Sequence, residues 1–373
     1  MVKTFNCMII TTMKYIDEYR NKELIIKISE QLHRFKDRKY VFMEVCGGHT
    51  MAMHRFGITS LLPDNIRLIS GPGCPVCVTG KSFIDKAIAY SRMSGTIIAT
   101  FGDLIRVPGS ISSLEKELAN GADVRIVFSG LDALDIAKKN PDKRIIFLGI
   151  GFETTAPGTA AVIKEAVQLK VDNFLLLSAH KIMPPAMEVI IINGTSIQGF
   201  ICPGHVSAIT GSKIYNFISE KYGLGCVVTG FEPLDILQAI LMLVLQIEEG
   251  RPHTAIQYKR AVTEEGNLQA LKYMNDVFVL RDEYWRGFSI IKNSGLCLQD
   301  EYNSFNAEKV IPVTINKPED DGACICGAIL RGQSTPADCP LYGTTCVPAS
   351  PVGACMVSGE GACQAYYKFK THV

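Results

Sequence analysis

No run of this chain is long and apolar enough to cross a bilayer. Its greasiest stretch, Ile236 to Ile247, is twelve residues and carries Gln238 and Gln246, against the roughly 20 that ~30 Å of hydrocarbon requires. A buried helix is expected there. The first residues, MVKTFNCMII, hold a brief apolar patch without the sustained h-region and small-residue cleavage site of a secretory leader, so a cytoplasmic location is expected. Charge of one sign is also missing, since 38 Lys and Arg stand against 37 Asp and Glu with no long basic block. That excludes the electrostatic footprint of a protein that tracks a phosphate backbone. Neither nucleic acid nor membrane is expected as a partner.

What the chain does have is sulfur, in 13 cysteines. Cytoplasmic thiols mostly stay reduced, so metal binding, catalysis or packing must account for them. Six fall in the last fifty residues (Cys324, Cys326, Cys339, Cys346, Cys355, Cys363), and three lie far upstream as Cys46 and the pair Cys74/Cys77. Two separate sulfur sites follow. Cys7, Cys226 and Cys297 have no such surroundings and are read as packing, as buried free cysteine commonly is.

With 373 residues and 47% hydrophobic side chains, two or three domains are expected. Between residues 39 and 233 one pattern recurs: a short run rich in Val, Ile, Leu and Phe, a Gly- or Pro-bearing cluster, then a helical stretch. The runs are KYVFMEV, NIRLIS, TIIATF, DVRIVF, RIIFLGIG, NFLLLS, QGFI and CVVTG, spaced as parallel βα units would be. Near-continuous apolar strands fit sheets covered on both faces. The fold class is therefore α/β. Two similar parallel-sheet domains facing a shared cleft, 38–137 and 138–235, are favoured, because the chain restarts at PDKRIIFLG after a polar stretch; one eight-stranded sheet or a barrel would give the same periodicity. Residues 13–36 and 235–280 read as helical. The tail from about 316 reads as loop whose order comes from a bound metal rather than a large core. Residues 1–37 plus 236–373 are assigned to a third, cysteine-rich domain.

Ligands of parallel sheets bind outside the carboxyl ends of the strands, and the chemistry of this chain gathers there. The first strand delivers Cys46-Gly47-Gly48-His49-Thr50 and the second Gly71-Pro72-Gly73-Cys74-Pro75-Val76-Cys77. If these strands are neighbours, Cys46 faces the same crevice as the Cys74/Cys77 pair. Thiols at a helix N-terminus have lowered pKa and favour redox chemistry, although a lone C-x-x-C is also a loop staple or half a zinc site. The glycines after Cys46 let a ligand approach the backbone, and His49 can serve as base, ligand or simple helix cap. Later strand ends present Asp103, Glu153, His180, Cys202, His205 and Glu232 as the opposite wall. Each has an ordinary hydrogen-bonding reading as well.

For the tail, zinc wants four N/S ligands in compact pairs, and Cys324-x-Cys326 is one residue short of such a pair. An iron–sulfur cluster needs four thiolates on a permissive loop. Counting cannot choose four from six.

Several motifs narrow the field. C-G-G-H-T at 46–50, G-P-G-C-P-V-C at 71–77, G-F-E-T-T-A-P-G at 151–158, C-P-G-H-V-S at 202–207, G-F-E-P-L-D-I-L at 230–237 and M-V-S-G-E-G-A-C-x-A-Y-Y at 356–367 together resemble the hydrogenase maturation protein family HypD, over residues ~35 to 370. The resemblance implies a scaffold for assembling the Fe(CN)2(CO) unit of [NiFe]-hydrogenase rather than a conventional turnover enzyme. It implies a complex with the small protein HypC, cyanide delivered by HypE and HypF, and the hydrogenase large subunit served through HypC. It further implies a [4Fe-4S] cluster on Cys324, Cys339, Cys346 and Cys363, a redox pair at Cys74/Cys77, and iron held at Cys46. Cys326 and Cys355 are left over, as a thiol pair or as packing. Two other classes compete: an Fe–S-dependent protein disulfide reductase resembling ferredoxin–thioredoxin reductase, and a zinc-stabilised binding module.

Overall fold

In the computed structural model, which describes residues 14, 16–316 and 322–370, all eight apolar runs form strands. They are β1 Tyr40–Glu44, β2 Ile66–Ser70, β3 Thr96–Thr100, β4 Asp123–Ile126, β5 Arg144–Gly151, β6 Phe174–His180, β7 Gly199–Pro203 and β8 Gly225–Thr229. A short β9, Thr254–Ile256, follows, then an antiparallel hairpin of β10 Phe278–Trp285 and β11 Ser289–Leu298. The strands divide into a parallel five-stranded sheet ordered β2-β1-β7-β8-β9 and a parallel four-stranded sheet ordered β4-β3-β5-β6.

This order differs from the expected division at 137/138. That boundary falls between β4 and β5, which share one sheet, while β7 and β8 return to pair with β1. The four-stranded sheet is thus an excursion of the chain out of the five-stranded one. Apolar periodicity is the same whichever neighbour a strand takes, so it marks strands without ordering them. One further expectation is corrected and one element is added. The stretch 235–280 is not helical throughout but runs helix Pro233–Glu248, β9, helix Leu268–Val277 and the start of β10, and the 278–298 hairpin was unanticipated. Its signal was present in RDEYWRGFSII, aromatic and β-branched residues around a turn where Gly287 takes φ +86°.

Side chains alternate across each buried strand, and the alternation builds three layers of core. On the four-stranded sheet, Ile98, Ile146 and Leu148 face inward onto a cluster shared with Met43, Val45, Phe200 and Cys202 of the other sheet. Their sequence neighbours Ile97, Ile145 and Phe147 face outward under helices Gly130–Lys139, Ala156–Leu169 and Leu268–Val277. On the five-stranded sheet, Phe42, Ile201 and Val227 face outward under helix Pro233–Glu248, which packs on helix Lys22–Leu32. Burying each such side chain fully contributes ~1.5–3 kcal/mol. The edge strand β2 exposes the charge of Arg67 and is otherwise half-buried beyond Ile66, and the edge strand β4 carries the half-buried charges Asp123 and Arg125, which blunts both against further pairing. Among the described residues no helix is long and apolar enough to cross a membrane. Cys7 lies outside the described residues.

Candidate functional site

Strands β1 and β2 are hydrogen-bonded neighbours, and this places the two upstream sulfur loops in contact. Gly73 lies so close to the Cys46 backbone that a Cβ there would sit 2.1 Å from the Cys46 nitrogen. The Gly47 N–H donates to the Gly73 carbonyl at 3.0 Å, and the Gly71 N–H to the Glu44 carbonyl at 2.8 Å. Cys74 caps the four-residue helix Pro75–Val78, with the Cys77 N–H pointing at its sulfur. A Cys74–Cys77 disulfide closes that turn, Cα to Cα 5.2 Å, and both residues are buried. The helix breaks at Thr79-Gly80 because Tyr284 packs where a Gly80 side chain would stand and Thr79 bridges to Trp285.

Cys46 itself is the cap residue of helix Gly47–Arg55. Its sulfur lies 3.7 Å from His205 Nδ1. His49 and His205 each stack on Phe231, ring centroids at 4.7 Å and 5.3 Å. His49 Nε2–H donates to the Gly230 carbonyl at 2.9 Å, which leaves Nδ1 as a bare acceptor with no partner among the described residues. Burial holds both imidazoles neutral, lowering each pKa to about 4. Burial also pushes the Cys46 thiol up, assisted by Glu360 and Glu44, while the Gly48 and His49 N–H groups pull it down. Glu44 accepts from the Cys46 N–H at 2.9 Å and from the Thr50 hydroxyl, and its carboxyl is raised to about 8 by burial.

Two carboxylates complete this corner. Glu360 presses on Gly47, where an added Cβ would meet its own Cβ at 2.3 Å. Burial raises its pKa, and so does Asp103. Asp103, at the end of β3, accepts from the Ser358 hydroxyl at 2.8 Å. Segment 358–360 of the tail therefore joins the carboxyl ends of both sheets over Cys46. Among the described residues no three His, Cys, Asp or Glu side chains already converge as they would around a single ion.

The other proposed cleft residues lie elsewhere. His180 is buried between the Thr159 and Ser178 hydroxyls, at 3.2 Å and 3.3 Å. Glu153 accepts from the Met183 N–H at 2.9 Å and is raised to about 7 by burial. Cys202 faces the core beside Cys226 and Tyr215. Glu232 pairs with Arg20 at 2.8 Å. Cys202, His205 and Glu232 belong to the same sheet as Cys46, not to an opposite wall, because β7 and β8 follow β1 in that sheet. Sequence reasoning passed over Glu360, Phe231 and Glu44 as site residues, although Glu360 and Phe231 stand inside the motifs at 356–367 and 230–237.

In the tail, all six cysteines line one small hollow with Ile329, Leu341, Tyr342 and Met356. Burial pushes the Cys363 thiol up, and Cys326, Cys346, Cys324 and Cys339 all add to that rise electrostatically. Cys326 and Cys355 are in addition in direct contact, with sulfurs 2.8 Å apart. A ring of soft donors around an apolar hollow, close enough to repel one another as thiolates, fits a four-thiolate iron–sulfur cluster. Turn Ala354–Met356, which carries Cys355, packs against the Cys74–Cys77 helix.

The family model for HypD, described as the hydrogenase formation hypA family, matches residues 20–370. The chain belongs to the HypD family. It is 45% identical to the hydrogenase maturation factor HypD2 of Bradyrhizobium diazoefficiens, over 96% of this chain and 98% of that protein. It is 46% identical to HypD of Rhizobium leguminosarum, over 96% of each chain, and 41% identical to HypD of Escherichia coli, over 96% and 98%. HypD membership supports a role in hydrogenase maturation.

Proposed function

We propose that this protein is the scaffold on which an Fe(CN)2(CO) unit is assembled for [NiFe]-hydrogenase, with Cys46 as the iron anchor. The observation that carries the reading is the meeting, at one corner, of the Cys46 thiol, the His205 ring, the Glu360 carboxyl and the loop of the Cys74–Cys77 disulfide. Low-spin iron with carbonyl and cyanide ligands favours a soft thiolate. As iron arrives at Cys46, the cation reverses the electrostatics that hold the thiol protonated, so binding releases a proton. The neutral His49 and His205 rings and Phe231 wall the site against water, and His49 Nδ1 or Glu360 can accept the proton.

Cys324, Cys339, Cys346 and Cys363 would hold a [4Fe-4S] cluster, with the touching pair Cys326/Cys355 beside it. Such a cluster stores and passes single electrons. Cys355 packs toward the Cys74–Cys77 turn, so the dithiol pairs form a short path from the tail to Cys46. Reducing the Cys74–Cys77 disulfide takes two electrons and two protons and leaves two thiols. The small protein HypC would work in complex with the scaffold, and HypE with HypF would supply cyanide. A protein disulfide reductase would also want a cluster behind a dithiol, but burial of Cys74 and Cys77 denies an outside disulfide the in-line approach that thiol exchange needs, and that role gives Cys46 nothing to do.

Infrared spectroscopy of the protein purified with HypC tests this. The wild type should show cyanide and carbonyl stretches. Cys46→Ala should lose them while keeping its visible iron–sulfur absorption. Full-intensity bands in that variant would move the anchor elsewhere.

A further inference from the structure

Arg286 lies between the two sulfur sites and is not used by the scheme above. It follows β10 directly and is 9% exposed. Its main-chain N–H donates to the Val78 carbonyl at 2.7 Å. Its guanidinium donates twice to the Thr79 carbonyl, from Nε at 3.2 Å and from Nη2 at 3.0 Å. Both carbonyls sit at the C-terminal end of the Cys74–Cys77 helix. On its other side Arg286 lines a cavity with Cys324, Cys326, Gly327 and Ala328, which Lys81 and Arg331 also border, and its charge opposes the rise that the Cys326 contact and burial give the Cys355 thiol. Among the described residues it makes no ion pair with a carboxylate.

A buried cation without a carboxylate is costly unless something negative faces it. The Thr79 carbonyl, accepting from both Nε and Nη2, satisfies part of the guanidinium. It does not neutralise the charge. The negative groups within its reach are the tail sulfurs, which become formally anionic when they bind iron.

We propose that Arg286 is the fixed counter-charge of the tail sulfur site and sets how readily that site accepts an electron. The proposal rests on the cluster reading above. Adding an electron adds a negative charge, and a buried guanidinium beside it lowers the electrostatic cost of that charge, since low-dielectric surroundings screen poorly. The same side chain grips the end of the Cys74–Cys77 helix through the Thr79 carbonyl, so the counter-charge is held at a fixed place between electron store and disulfide.

The test is an EPR-monitored dithionite titration of the full chain as wild type, Arg286→Gln and Arg286→Lys, with iron and visible absorption recorded for each. Arg286→Gln should make reduction about tenfold harder, a potential lower by ~59 mV for a one-electron step. Arg286→Lys keeps the charge while losing the double grip on Thr79, and should stay at the wild-type potential even though it loses stability. An unshifted Gln variant, or equal shifts in Gln and Lys, overturns the proposal. If Arg286→Gln takes up no cluster, Ala328→Glu decides, because it places an opposing carboxylate on the wall of the same cavity. A lower potential then supports the role, and an unchanged one overturns it. A wild-type protein with no iron–sulfur absorption would overturn the cluster reading and this role together, whereas a coloured protein indifferent to the substitutions overturns only the role of Arg286.

Discussion

Replacing Gly73 by Ala should separate Cys46 from its disulfide loop. A Cβ at this position would lie 2.1 Å from the Cys46 nitrogen, 2.3 Å from its Cα and 2.5 Å from the Val45 carbonyl carbon. All three are backbone atoms anchored by β1, so no side-chain rotation relieves the clash. Overpacking a rigid site costs ~1–3 kcal/mol, and loss of the Gly47 N–H to Gly73 carbonyl hydrogen bond adds about 1 kcal/mol. A total of about 2–4 kcal/mol is expected. Urea unfolding of the cluster-free protein reads it as a lower midpoint at unchanged slope. The control is Gly158→Ala in helix Ala156–Leu169, where an added Cβ meets nothing within 4 Å; Ala there should be neutral or stabilise by up to ~1 kcal/mol. The loop should also lose function beyond its stability loss, with Cys74–Cys77 still oxidisable by thiol counting but the iron infrared bands weakened. A Gly73→Ala protein with a wild-type midpoint and full bands would refute the claim that β1 and β2 bring the two sulfur loops into obligatory contact.

Three further outcomes follow from the geometry. Ala at Cys324, Cys339, Cys346 or Cys363 should each remove iron and visible absorption, whereas Cys326→Ala and Cys355→Ala should leave the colour; bleaching by Cys355→Ala with Cys339→Ala still brown would show the ligand set to be wrong. Stability of the cluster-free protein should fall on both sides of neutrality. His49, His205 and His180, with pKa values lowered by burial to about 4, 4 and 3, contribute stability present above ~6.5 and lost as pH falls through those values; Glu44 and Glu153, raised to about 8 and about 7, contribute stability present below 4.5 and lost as pH rises through 7 to 8. Glu153→Gln should flatten the alkaline limb by about 3 kcal/mol, the shift from 4.5 to about 7 at ~1.36 kcal/mol per unit, and an unchanged limb in urea titrations would remove Glu153 as its source.

The sequence by itself determined the units of the fold and singled out the candidate site cysteines. Each β1–β8 run is legible because a strand buried on both faces must be apolar at nearly every position, and the glycines and prolines after it mark where the chain turns. Cys46, Cys74 and Cys77 could be placed at adjacent strand ends from spacing alone, because consecutive βα units usually pair. Tertiary structure decided what spacing cannot carry. Strand order is set by which faces bury best against which helices, a sum over distant contacts, and so β7 returned to β1 while β3 to β6 formed their own sheet. That return brought His205 to Cys46 across 159 positions of sequence and left His180 satisfied by Thr159 and Ser178. Glu360 reached Gly47 because the tail folds back over both sheets, and a long-range approach of that kind leaves no local periodicity to read. The same folding put Cys326 against Cys355, and Arg286 beside them, since contact between side chains depends on the path of the backbone in space.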